Sequence, residues 1–205
     1  MKEPYTEETI KSLIAIKQLV ILLLSRDDLL ATFLDESRKQ VLETVSDVFW
    51  KFTTTEKSSQ TRTDREMLAA MSELMFILAS AASLSYLESL SIHLVENFEE
   101  NVISVQISLL ALVNRCIAHC KEHIPLETID NLIRILSRVF HKAAKMFDAD
   151  DPAKVHPLLS VAAATVSTII NSKHCVGWDV VFHKHALPLS IISVANLGIK
   201  VRLCI

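Results

Sequence analysis

The first 176 residues of this chain contain no glycine, and the whole sequence of 205 residues holds two, Gly177 and Gly198. Glycine is the residue that lets a backbone turn left-handed or approach a phosphate closely. Before residue 177 there is therefore no place for a phosphate-cradling loop, a dinucleotide fingerprint or a glycine-built hairpin. Mononucleotide and dinucleotide enzymes of the common kinds are excluded on that ground. Half of the residues are apolar, so the chain can bury a sizeable core, and its length suits one domain over 1–205.

The start, Met1-Lys2-Glu3-Pro4-Tyr5, lacks a charged-then-apolar secretory pattern, and Lys2 follows Met1 where myristoylation would need glycine. The chain is accordingly expected to be intracellular, cytoplasmic or nuclear, and not secreted. Cys116 and Cys120 lie four apart on an expected helix while Cys175 and Cys204 are scattered, a distribution that reads as reduced thiols. Mean hydropathy is high at +0.34, and Val155 to Ser172 carries no Asp, Glu, Lys or Arg. That stretch nevertheless includes His156, Pro157, Ser160, Thr165 and Asn171, so no membrane span is expected.

Apolar residues recur at three-to-four spacing along most of the sequence, which predicts helices. Thr6 should cap a first helix reaching about Leu24, a short turn of helix should cover Asp28 to Leu34, and Ser37 to Phe52 should form the next. Thr53 to Arg65 has no hydrophobe in 13 positions and is expected to be a mobile polar loop. Helices are then expected over Glu66 to Ala81, Leu84 to Phe98, Asn101 to His123, Leu126 to Phe147 and Ala153 to Asn171, with Pro152 in a first turn. Ser172 to Asp179 reads as a turn and Pro188 to Asn196 as a final helix stopped by Gly198.

Counted in pairs, these helices repeat about every 40 to 50 residues, the period of stacked two-helix units. In size and spacing the chain resembles the armadillo and HEAT repeat families over most of its length. The resemblance implies an all-α fold of stacked antiparallel helix pairs; an irregular helical bundle would accommodate the same helices. The recurring Pro, Asp and Arg positions of HEAT units are missing, as is the glycine that commonly breaks the first armadillo helix. The ending Lys200-Val201-Arg202-Leu203-Cys204-Ile205 has no polar cap, so a truncation or alternative ending after residue 198 is one expectation.

Among motifs with chemistry, His119-Cys120-Lys121-Glu122-His123 matches the H-x-x-E-H of inverted zinc peptidases, in which two histidines one turn apart ligate zinc while the glutamate activates water. No sheet and no downstream carboxylate ligand accompany it, so the expected role is that of a helix end whose histidines face the carbonyl dipole. His183-Lys184-His185 with His174 and Cys175 reads as a solvated cluster, and no G-x-S-x-G elbow exists. Catalysis, metal, cofactor and small-molecule substrate are all not expected. A zinc-dependent hydrolase at 119–123 is the competing reading.

Charge divides the chain. Residues 1–100 carry ten basic and 17 acidic side chains, net −7, and residues 101–205 carry 11 basic and seven acidic, net +4. Arg134, Arg138, Lys142 and Lys145, with His141 beside them, fall along one helix opposite Ile129, Leu132, Leu136, Val139, Ala143 and Phe147, and should form an exposed basic ridge. Such a ridge suits an acidic or helical peptide segment of a protein partner. Nucleic acid is not expected, because the overall charge is −3 and there are only 12 aromatic residues for stacking. Trp50, beside Lys51 at a helix end, is the expected apolar anchor. Thr55, Ser58 and Ser59, in the polar loop near Lys57, are candidate phosphorylation sites. The expected function is thus a non-catalytic interaction scaffold or adaptor subunit.

Overall fold

The computed structural model describes residues 7–25, 35–55, 62–147 and 152–203, and every regular element in them is helical. The helices are α1 (Glu7–Ser25), α2 (Asp35–Thr55), α3 (Arg62–Leu78), α4 (Leu84–Asn97) and α5 (Ile103–His119). They continue with α6 (Leu126–Phe147), α7 (Pro152–Asn171), α8 (Trp178–Lys184) and α9 (Leu187–Leu203). Single 3₁₀ turns, Ala79–Ala81 and Phe98–Glu100, extend α3 and α4. Among the described residues no helix is long and apolar enough to cross a membrane.

The helices form two rows. In the first, α1 packs on α3, α3 on α5 and α5 on α7; in the second, α2 packs on α4, α4 on α6 and α6 on α9. Contacts of α2 with α3, α4 with α5 and α6 with α7 join the rows. Two pairs within the rows run parallel, as successive contacts between them show. Ser46 meets Tyr86 and Trp50 meets His93 between α2 and α4, while Leu110 meets Thr165 and Asn114 meets Thr168 between α5 and α7. Between rows lies the core, in which Phe49, Leu74, Leu78, Leu94, Leu109, Val113, Ile129 and Leu136 are fully buried.

Local chemistry sets the corners. Ser83 Oγ caps α4 by accepting from the Tyr86 amide at 3.3 Å. Between α4 and α5 a buried polar knot replaces a glycine turn. Gln106 Nε2 donates to the carbonyls of Phe98 (3.1 Å) and Asn101 (2.8 Å), and Asn101 Nδ2 donates to the Asn97 carbonyl at 2.8 Å. Gly177 starts α8 from a left-handed φ of 81°, where a Cβ would also sit 3.2 Å from Leu126 Cδ1.

Several expected boundaries shift. Helix α2 runs to Thr55 and α3 begins at Arg62, so the polar stretch is helical at both ends; Thr53 is buried, its hydroxyl donating to the Trp50 carbonyl at 3.0 Å. The short helix expected over Asp28 to Leu34, and residues 56–61 with Ser58 and Ser59, lie outside the described residues, as does the side chain of Thr55. Helix α5 stops at His119, four residues early: Cys120 is extended, with ψ 131°, its amide bonding the Ile117 carbonyl, and beyond it the Ile124 amide donates to the carbonyl of His174 at 2.9 Å. Gly198 does not stop the last helix, which continues to Leu203.

Candidate partner-binding cleft

Helix α6 is central to its row, packed against α4, α7, α8 and α9, and this narrows the expected basic ridge. Besides the stripe Ile129, Leu132, Leu136, Val139 and Ala143, it buries Ile133, Ile135 and Phe140. Arg134, flanked by two buried isoleucines, is half-buried and donates through Nη2 to Asn131 Oδ1 at 2.9 Å, with Nε enclosed and unpartnered. Asn131 in turn donates to Ser91 Oγ at 3.4 Å, which ties this group to α4. Arg138 remains about half exposed and faces Glu99, Nη1 to Oε1, at 3.6 Å. His141 and Lys142 are exposed, and the side chain of Lys145 lies outside the described residues. The ridge is thus Arg138, His141 and Lys142, without Arg134.

Those three residues edge a cleft of about 320 Å³ where the end of α4, the start of α5, α6 and the first half of α7 converge. Its floor is apolar, made by Phe98, Ile103, Val139, Ala143 and Leu158. The polar knot fixes that floor, since Gln106 lines the cleft and holds the Phe98 carbonyl. Glu99 and Arg138, which both line the cleft, form an ion pair. Both are half exposed, so their mutual attraction is worth about 0–1 kcal/mol and an incoming carboxylate can displace Glu99. Sequence reasoning missed Phe98, Ile103 and Leu158 as lining residues because they come from different elements, and only the packing of those elements brings them to one cleft.

Trp50 is not a surface anchor. Only 6% exposed, it stacks on His93 with ring centroids 5.0 Å apart and meets Phe49 edge-on at 4.9 Å. It belongs to the core between α2 and α4.

The H-x-x-E-H stretch does not lie on one helix. His119 is the last residue of α5, Glu122 and His123 are exposed in the loop that follows, and Cys120 Sγ contacts the Glu122 carbonyl at 3.3 Å. The spacing of one turn that would aim both histidines at one ion is lost, and among the described residues no three His, Cys, Asp or Glu side chains converge as ligands. Cys116, Cys120 and Cys175 are free thiols, and burial pushes Cys116 up to about 12. His185, expected to be solvated, is half-buried and contacts Asp130 Oδ1 at 3.1 Å; Lys184 reaches the same oxygen at 2.6 Å.

Compared with known proteins, the chain matches no family model, and no curated protein or solved structure is significantly similar to it.

Proposed function

We propose that this chain is a non-catalytic interaction scaffold, a stack of helix pairs of the armadillo or HEAT kind that binds a segment of a partner protein. The observation that carries this reading is the cleft beside α6, which sets a fixed apolar floor within a cationic rim. An apolar side chain of the partner fills the floor and supplies affinity, while an acidic neighbour replaces Glu99 at Arg138 and meets Lys142. Rigid helices on all sides hold the floor in shape, so little ordering cost falls on the scaffold when the partner docks. The free, buried thiols Cys116 and Cys175 suit work in a reducing compartment.

A photo-crosslinking residue in place of exposed His141, followed by mass spectrometry of what it captures in cells, tests the reading. The expected result is a stoichiometric protein partner whose capture falls about tenfold on charge reversal of Arg138 and Lys142 to Glu, with folding retained. Zinc near one equivalent with hydrolytic activity and no partner would overturn it in favour of a zinc hydrolase.

A further inference from the structure

A second depression lies toward the other end of α5. Helices α5 and α7 run side by side there, and the strip between them is lined by side chains too short to fill the gap, such as Ala111, Ala118, Ser160, Ala164 and Ser167. Two hollows of about 460 and 720 Å³ result. Both include Ala118 and His119, so they join into one trough that ends at the loops after the two helices.

Its charge has one sign. Arg115, Lys121 and Lys173 line it, with the imidazoles of His119 and His174, and no aspartate or glutamate lines either hollow. Glu122, next to Lys121 in sequence, is exposed outside the lining. The C-terminal carbonyls of α5 and α7 also face this region and together amount to about one negative charge, which three permanent cations exceed.

Arg115 supplies a separate observation. Its guanidinium carbon is held 5.0 Å from the centroid of the Phe76 ring, its Nε is enclosed without a hydrogen-bond partner, and no carboxylate among the described residues pairs with it. A guanidinium held in orientation with no carboxylate partner can meet one through its terminal nitrogens.

We propose that this trough binds an extended, carboxylate-rich segment of a partner polypeptide, independently of the cleft beside α6. Ala111 to His119 spans about 12 Å of helix, the reach of about four residues of extended chain. One small anion would meet one or two of the cations, whereas an acidic chain running along the trough meets Arg115 and then the lysines at its far end. Ser160 and Ser167 line the path with hydroxyls that can donate to the segment's backbone, and Asn171, whose Nδ2 donates to the Ser167 carbonyl and hydroxyl, leaves its Oδ1 as an acceptor. The one phenyl ring at the trough, Phe76, lies under Arg115 and offers bases little to stack on.

The test titrates the full-length, ¹⁵N-labelled chain with a short fluorescein-labelled peptide alternating Glu with Ser, read by anisotropy and amide shifts. Expected are saturable binding that weakens with salt, and shifts concentrated at Ala118, Ser167 and Asn171. The double reversal Lys121→Glu, Lys173→Glu should weaken binding about tenfold or more, with an unchanged circular dichroism spectrum. Arg115→Gln should also weaken it; should that variant unfold, the exposed lysine pair decides. Lys142→Glu should leave the affinity unchanged, which separates this proposal from the cleft. Absence of saturation, affinity indifferent to the lysine reversal, or shifts at the α6 cleft would overturn the proposal. So would full competition by inorganic phosphate, which marks a small-anion site, or tighter binding of an RNA oligonucleotide of equal charge.

Discussion

Three thiols and one amide carry the sharpest expectations at the scale of single residues. Burial pushes Cys116 up to about 12, aided by nearby Cys120, and burial also raises Cys175, whereas Cys120 is only half-buried at the mouth of the trough. At pH 8 about one Cys116 in ten thousand is thiolate. Iodoacetamide on the folded protein should therefore modify Cys120 before Cys175 and Cys116 last, as read by peptide mapping; equal rates at Cys120 and Cys116 would contradict the packing of α5. Gln106 is the amide. Replacing it with Met keeps the volume but takes the side-chain donor from the Asn101 carbonyl and leaves the Phe98 carbonyl only the Asn101 amide, a cost of about 1–3 kcal/mol seen as a lower urea midpoint. A variant as stable as the parent would show that the knot does not hold the corner. Such roles are illegible in sequence because they depend on what lies across a helix gap. Trp50 looked like an anchor because its neighbour is Lys51, yet His93, 43 positions away, gives it a stacking partner in the core. Arg134 fits the basic spacing of α6 and is drawn inward by Asn131 and the flanking isoleucines.

At the scale of elements, α8 is clipped to α6 by one carboxylate. Burial acts to raise Asp130, but hydrogen bonds from Lys184 and His185 and their charges outweigh it and hold its carboxyl below the usual range. A folded-state pKa below the unfolded one gives stability that is present above the ordinary carboxylate pKa near ~3.9 and lost as pH falls through the folded value. Asp130→Asn should cost about 1 kcal/mol at pH 7, since Lys184 is mostly exposed and screened. It should also flatten the acid side of the stability curve, measured by denaturant titration between neutral pH and the onset of acid unfolding; an unchanged acid limb would remove the clip. The connection from α8 to α9 passes through Ala186 at φ 51°, a left-handed conformation that suits glycine. Ala186→Gly should leave thermal stability equal or raise it by an amount worth up to about 1 kcal/mol, and a lower melting temperature would argue against the turn. The elements themselves were mostly legible. Helix α6 matches its expected limits because Pro125 opens it and its apolar stripe is clean. Beyond the early end of α5, the bond that holds Ile124 was hidden because it comes from His174, in a loop 50 positions on.

For the whole molecule, the three-to-four apolar spacing of a chain without glycine before residue 177 foretold an all-helical fold, and the structure packs neighbouring helices together. In the second row Ser46 with Tyr86 and Ser91 with Asn131 are offset by 40 residues, whereas in the first Lys17 with Glu73 and Asn114 with Thr168 are offset by 56 and 54. What one sequence could not show was which surfaces the stack leaves open, because the cleft and the trough are each assembled from three or more helices. The same arrangement has an energetic consequence. Among the described residues, extensive contacts join helices at most three places apart in chain order, and none joins α1 or α2 to α7, α8 or α9. With contacts this local, damage at one end is expected to fall off along the chain rather than spread evenly. Leu42, fully buried on α2, tests this: Leu42→Ala removes a side chain from the core at a cost of about 2–5 kcal/mol. Native-state hydrogen exchange should show faster exchange throughout α2 and α3, a weaker effect in α4 and α5, and unchanged protection in the middle of α6 and in α7. Uniform acceleration along the chain would mean that the two rows unfold as one cooperative unit. Graded acceleration would mean that a partner docked at the cleft or the trough can steady its own end of the stack while the other end opens.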